Sequence, residues 1–233
     1  MNSLSVPVIG IMRTPYATKF AVPRQAGLTP AVRARIEFCP PYANPQAFRA
    51  LEGFSHVHVL FAFDRIAPAA SFRPMVRPPG LGGNRRVGVF ASRSPFRPSR
   101  IGLSVLRLGR VIGGRRGVVL EVYGADMADG TPVLDIKPYL PWADAVPDAR
   151  SGYAGSGPPQ LSVEFAPAAA AHPLLGDPQC REDLMSILAS SPQPAYRGDG
   201  DGQAYTATLY GHEITFCVSA GRVVVTAISG GGH

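Results

Sequence analysis

Short runs of alternating apolar and polar residues dominate the first two thirds of the chain, with Gly or Pro in most of the gaps between them. A period of two puts one face of a strand in a core and the other in solvent. The pattern predicts strands over residues 6–12, 34–38, 56–63, 87–92, 102–111, 117–123 and 133–136. These strands do not alternate with long amphipathic helices, which disfavours a doubly wound parallel sheet and predicts a β-barrel or sandwich. One short helix is legible among them. Asn44 is its N-cap, Pro45 its first residue, Phe48 and Leu51 its apolar face, and Gly53 its terminator. It is expected to plug or pack on the barrel.

Residues 141–159 are rich in Pro, Gly, Ala, Asp and Ser and read as the exit from a first domain. Beyond them an alanine-rich stretch over 166–172 leads to Asp177 and Pro178, an N-cap and first residue for a helix to about Ser190 with Leu184, Ile187 and Leu188 inward. Residues 205–209, 213–218 and 222–227, separated by Tyr210-Gly211-His212 and Ser219-Ala220-Gly221, predict a three-stranded meander. The expected architecture is mainly β. A barrel domain spans residues 1–150, and a small α+β domain spans residues 151–233.

Charge divides the chain along the same line. Residues 1–150 carry 20 Lys and Arg against 9 Asp and Glu, whereas residues 151–233 carry 3 against 7. Between Asp64 and Glu121 stand twelve arginines and no acid. That is a footprint for a polyanion, and arginine adds bidentate phosphate contacts and stacking on bases that lysine lacks. The bland alternative is a solvated face whose arginines reflect codon usage. The apolar stretch after Met1 is broken by Pro7 and ended by Arg13, too short for a leader or a membrane span, so a cytoplasmic protein is expected. Cys39, Cys180 and Cys217 are widely spaced, which predicts buried reduced thiols rather than disulfides or a zinc site.

Individual motifs carry little. Gly80-Leu81-Gly82-Gly83-Asn84 matches neither the dinucleotide fingerprint nor the P-loop, although Arg77 before it and Arg85-Arg86 after it set exposed backbone among cations. It reads equally as a hairpin loop. His56 and His58 share one face of a strand; they are a possible metal pair or proton relay, and more commonly structural residues, and no metal is expected. Residues 124–132 set Asp126 and Asp129 in a loop between strands, where they are either turn residues or carboxylates for a nucleoside cofactor. Residues 20–25 end too polar for a core and read as a surface turn or part of a site.

Taken in order, the segments resemble the TsaA-like family of tRNA methyltransferases. The matching runs are Ile9-Gly10-Ile11-Met12-Arg13-Thr14-Pro15-Tyr16, Lys19-Phe20-Ala21-Val22-Pro23-Arg24-Gln25, Leu51-Glu52-Gly53-Phe54-Ser55-His56, Arg77-Pro78-Pro79 with Leu81-Gly82-Gly83-Asn84, Gly88-Val89-Phe90-Ala91-Ser92-Arg93-Ser94 with Phe96-Arg97-Pro98, and Asp129-Gly130-Thr131-Pro132-Val133-Leu134-Asp135-Ile136-Lys137-Pro138-Tyr139. Pro194-Ala195-Tyr196-Arg197 extends the likeness to bacterial two-domain members.

The resemblance implies a β-barrel enzyme, usually a homodimer, that uses S-adenosylmethionine (SAM) to methylate N6 of threonylcarbamoyladenosine beside the tRNA anticodon. It implies that SAM is held at Pro23, Arg24, Gln25, Asp64, Arg65, Arg93, Leu103, Asp126, Met127, Ala128 and Asp129. Two departures stand out: Asp64 occupies a position often held by histidine, and Ser99-Arg100 a position often held by Asn-Pro. Arg85, Arg86, Arg97 and Arg100 are the expected phosphate contacts, with Tyr196 and Arg197 at the anticodon loop. Deprotonating N6 calls for a general base, for which Asp126, Asp129, Asp135, His56 and His58 all remain open. Two other readings compete: a non-catalytic RNA-binding protein, and a SAM-dependent methyltransferase of a small metabolite.

Overall fold

The computed structural model describes residues 4–67, 72–78, 85–114, 117–155, 157–190 and 203–230. Six antiparallel strands close a barrel: β1 (Gly10–Arg13), β2 (Arg33–Phe38), β3 (His56–Ala62), β6 (Ile101–Gly114), β7 (Gly117–Tyr123) and β8 (Pro132–Pro138). Around the barrel they run β1-β2-β7-β6-β3-β8 and back to β1, and two short strands, β4 (Met75–Val76) and β5 (Val87–Gly88), pair outside it. Alternation does what the pattern requires: Val57, Val59 and Phe61 of β3, Leu106 and Leu108 of β6, and Val118, Leu120 and Val122 of β7 all point inward.

The barrel is stoppered at both ends. At one end Phe48 packs edge-on against Phe38, ring centroids 4.6 Å apart. At the other, Ala125 and Met127 from the loop between β7 and β8 join the same core. The expected helix over Asn44–Gly53 is instead two 3₁₀ turns, Pro45–Phe48 and Leu51–Gly53, although Asn44 caps the first as predicted. Ala50 between them is left-handed at φ 70°, and a segment this short gains little from α geometry. Residues 87–92 likewise depart from a full strand. After β5 the chain coils into a 3₁₀ turn, Val89–Ala91, where the Ser92 hydroxyl donates to the Val89 carbonyl and offers the backbone an alternative to a ladder.

The second unit is a four-stranded sheet ordered β10 (Ala204–Leu209), β11 (His212–Ser219), β12 (Arg222–Gly230), β9 (Ser162–Phe165). The meander is as expected, and β9, parallel to β12, is an addition to it. Helix α1 (Pro141–Asp144) opens the exit segment, and α2 (Pro167–Ala170) and α3 (Pro178–Ala189) follow it. Asp177 caps α3 by accepting from the Gln179 and Cys180 amides, and Leu184, Ile187 and Leu188 are fully buried. This second core recruits Tyr16, Ala21 and Val32 from the loop between β1 and β2. Tyr16 bridges to Leu209 and is fully buried, with its hydroxyl 3.2 Å from Thr29 Oγ1. Cys39, Cys180 and Cys217 are free thiols, each half-buried.

Candidate functional site

The antiparallel register gathers the ends of β1, β3 and β7 and the starts of β2, β6 and β8 at one rim. The connecting loops at this rim contain almost all of the cofactor positions that the sequence implies. Loop 124–131 is the best fixed. The Thr14 hydroxyl donates to the Met127 carbonyl at 3.0 Å, and the Thr14 amide donates to Asp129 Oδ1 at 3.1 Å. The Asp129 amide reaches the Tyr16 carbonyl at 2.9 Å, the Gly130 amide reaches the Met12 carbonyl at 2.9 Å, and the Thr131 hydroxyl reaches the Ala128 carbonyl at 2.7 Å. Gly124, at φ 77°, lets loops 14–32 and 124–131 cross: the Gly27 amide donates to its carbonyl, and a side chain there would press on Gly27.

With Ala125 and Met127 turned into the core, Asp126 is left half-buried at the rim. Ser104, an inward residue of β6, donates its hydroxyl to Asp126 Oδ1 at 2.6 Å. Burial raises the Asp126 carboxyl above its ordinary value, against the opposing pull of Ser104, of the Asp126 and Ala26 amides and of the Arg93 charge. A desolvated carboxylate suits a cationic ligand group. Close by, Arg93 donates to Gln25 Oε1 at 2.6 Å, and Gln25 donates to the Arg24 carbonyl at 2.5 Å. Pro23 is buried behind them while Arg24 is exposed. Arg65 pins two loops together by donating to the Ala17 carbonyl at 3.0 Å and to the Asp129 carbonyl. Asp64 lies exposed in the turn after β3. Leu103 is 57% exposed on the outer wall, its side chain turned away from the inward Ser104.

The arginines expected at phosphates divide into two groups. Arg97 donates to the Ser92 carbonyl at 3.1 Å, and Arg100 donates to the Ile66 carbonyl at 3.0 Å, so both guanidinium groups already hold backbone. Arg85 and Arg86 are exposed before β5. Phe72 and Phe90 stack with centroids 6.2 Å apart, and Phe90 is 74% exposed. Tyr196, Arg197 and the glycine-rich run 80–84 lie outside the described residues.

His56 and His58 do share the outer face of β3, yet His56 begins that strand about 20 Å of extended chain from the rim. His56 shares a hydrogen bond with the Ser55 hydroxyl, and His58 Nε2 lies 3.1 Å from Asp144 Oδ2. His58 thereby ties α1 to the barrel wall. No group of three or more His, Cys, Asp or Glu side chains comes together among the described residues. Thr14 and Ser104 are the residues that sequence reasoning passed over. Ser104 had a legible signal, a small polar residue at an inward strand position; Thr14 had none, because its partners lie more than 100 residues away.

The family model for the tRNA-methyltransferase O N-terminal domain matches residues 11–145, and the TrmO C-terminal domain model matches residues 158–231. The chain belongs to the TrmO family. This TrmO-family chain is 41% identical to the tRNA (adenine(37)-N6)-methyltransferase of Escherichia coli, over 98% of its own length and 99% of that protein. It is 44% identical to a putative S-adenosylmethionine-dependent methyltransferase of Pseudomonas aeruginosa, over 88% of its length and 89% of the relative's. The crystal structure of TrmO from Pseudomonas aeruginosa superposes on it with a TM-score of 0.78 at 34% identity, covering 98% of this chain and 99% of that one.

Proposed function

We propose that this protein is a SAM-dependent tRNA adenine-N6 methyltransferase that methylates N6 of threonylcarbamoyladenosine at position 37, beside the anticodon. The observation that carries the reading is the rim carboxylate Asp126, half-buried and raised by burial, in a loop locked by Thr14 and set beside the Gln25–Arg93 pair. These residues fit the groups of SAM: Asp126 for the ammonium, the Gln25–Arg93 pair for a carboxylate or ribose hydroxyl, and Pro23 and Ala128 for its apolar parts. The bound cofactor supplies a methyl group made electrophilic by its sulfonium.

The protein's own contribution is positional. Arg65 and Thr14 hold loop 124–131 to loop 14–20, so that the groups lining the rim keep one arrangement and the target nitrogen meets a fixed partner. Arg85 and Arg86 carry phosphate contacts, and the exposed Phe72–Phe90 stack offers an unpaired base a flat apolar partner. The cofactor lies in the barrel of residues 1–150, and the unit of residues 151–233 braces its rim through Tyr16 and Leu209. The working form is a homodimer in the cytoplasm, closed over the exposed outer face that bears Leu103 and Val105. No helix among the described residues is long and apolar enough to cross a membrane.

The test is calorimetry with SAM followed by nucleoside mass spectrometry of threonylcarbamoylated tRNA incubated with the protein. A gain of one methyl on that nucleoside is expected. SAM binding without methyl gain on tRNA would point to a small-molecule substrate, and tRNA binding with no effect of SAM to a non-catalytic RNA-binding protein.

A further inference from the structure

A cleft of about 420 Å³ lies outside the barrel wall where the wall meets the second unit, bordered by Thr14, Ala17 and Asp129 of the rim loops. Its lining includes Arg13, Arg33 and Arg35 on one side and Tyr210-Gly211, the turn between β10 and β11, on the other. Of the residues implied for the cofactor, only Asp129 touches it, and its carboxylate is occupied by the Thr14 amide at 3.1 Å and by Arg13 at 3.7 Å.

The charges of this wall are unusual for a plain solvated sheet face. Arg13 of β1 stands directly across from Arg35 of β2, a like-charge pairing that costs stability when left bare. Glu37 relieves it on one side only, accepting from Arg13 Nε at 2.8 Å. Arg33 lies 3.9 Å from Glu121, a covered residue of the same outer face, directly across from Arg35 in register, that also faces Arg110 at 3.5 Å and accepts from the Tyr123 hydroxyl at 3.0 Å. Arg107 stacks over Tyr123, 3.8 Å from its centroid, and extends the patch along β6. Glu37, Glu121 and Asp129 therefore serve five arginines. Arg35 is exposed and has no ion-pair or hydrogen-bond partner among the described residues.

We infer that the Arg13–Arg33–Arg35 cleft is a phosphodiester-binding site for the substrate tRNA, separate from the arginine-rich segment after Asp64. This rests on the tRNA reading above. Guanidinium groups fanned along one wall match phosphate oxygens bidentately, and the surplus cation at Arg35 is the one an incoming phosphate neutralises. Because Tyr210 closes the far side, the second unit and the barrel grip the same stretch of RNA backbone. The Tyr210 amide, bonded to the Pro15 carbonyl at 3.2 Å, fixes the width of the gap.

The test is fluorescence anisotropy of labelled bulk tRNA against the full chain over a salt series, for the parent, Arg35→Gln, Arg35→Lys and the Arg33→Ala/Arg35→Ala double variant. Arg35→Gln breaks no ion pair, so it decides the matter even if the double variant folds poorly by SAM calorimetry. The single variant is expected to bind several-fold more weakly and to lose about 0.7 to 0.9 from the slope of log affinity against log salt. Arg35→Lys is expected to keep the parent's slope and recover only part of the affinity, and a well-folded double variant should lose about twice the slope. An unchanged slope in Arg35→Gln overturns the cleft while leaving the tRNA reading intact. A parent that binds no tRNA overturns the tRNA reading itself.

Discussion

Asp126→Asn separates what the rim loop does for cofactor binding from what it does for folding. The amide oxygen of asparagine still accepts from Ser104 at its 2.6 Å site and volume is conserved, so the change removes the charge and one of two acceptor oxygens. Burial holds the Asp126 carboxyl above its ordinary value, which means the folded state binds that proton more tightly than the unfolded chain does. Stability therefore falls as pH rises from the ordinary carboxylate range through the raised value, and at neutral pH the ionised side chain is a net cost. The asparagine variant removes this cost. It should melt at or above the parent temperature at neutral pH, each kcal/mol recovered moving Tm by about 2–4 °C at this length.

Cofactor binding should move the other way. A charge-assisted contact to an ammonium is worth about 1.5–3 kcal/mol, so Kd for SAM should rise roughly 10- to 150-fold. In the parent, SAM affinity should strengthen as pH rises through the raised carboxyl value, because only the ionised form pairs with a cation; in the variant that pH dependence should vanish. Calorimetry across pH and differential scanning of the apo protein read both quantities. A variant that melts lower than the parent, or binds SAM within about twofold of it, would refute the reasoning.

Other substitutions probe neighbouring parts. Arg65→Lys keeps the charge but not the fork that spans the Ala17 and Asp129 carbonyls, so SAM affinity should fall several-fold by calorimetry with little change in overall fold. Gly102→Ala would set a methyl group 2.2 Å from the Phe61 ring, itself packed edge-on to Phe63, and should cost about 1–3 kcal/mol in urea unfolding. Leu103→Glu places a charge on the exposed outer face, and light scattering should show the proposed dimer shifted to monomer while the melting of the monomer unit stays close to the parent's. Leu184→Ala, at a fully buried position of α3, should destabilise the second core by about 2–5 kcal/mol.

The barrel strands were legible because their signal is local: each alternation is complete within one strand, as in Val57-His58-Val59, and the cap of α3 lies next to the helix it starts. Where the physical cause is remote or short, legibility ends. The strand expected over residues 6–12 begins only at Gly10, since Pro7 has no amide to give a ladder. β9 alternates over four residues, too few to stand out, and exists because β12 offers a parallel edge. Tyr16 reads as part of a rim motif, yet its ring completes the second core, a placement decided by Leu209 almost two hundred residues later.

The same distinction governs the arginines. Their density in the sequence indicates a polyanion but treats every guanidinium as equal. The structure sorts them by what their donors already hold. Arg65, Arg97 and Arg100 each donate to a main-chain carbonyl, so their positive charge remains but their hydrogen-bonding forks are largely committed to shaping loops. Arg33 and Arg35 lie before the densest stretch and were unremarkable by count, yet they face a cleft with donors to spare. Affinity for RNA should therefore track the uncommitted donors rather than the number of cations. Neutralising Arg35 should cost more tRNA binding than neutralising Arg97 once the loop that Arg97 supports is shown to be intact.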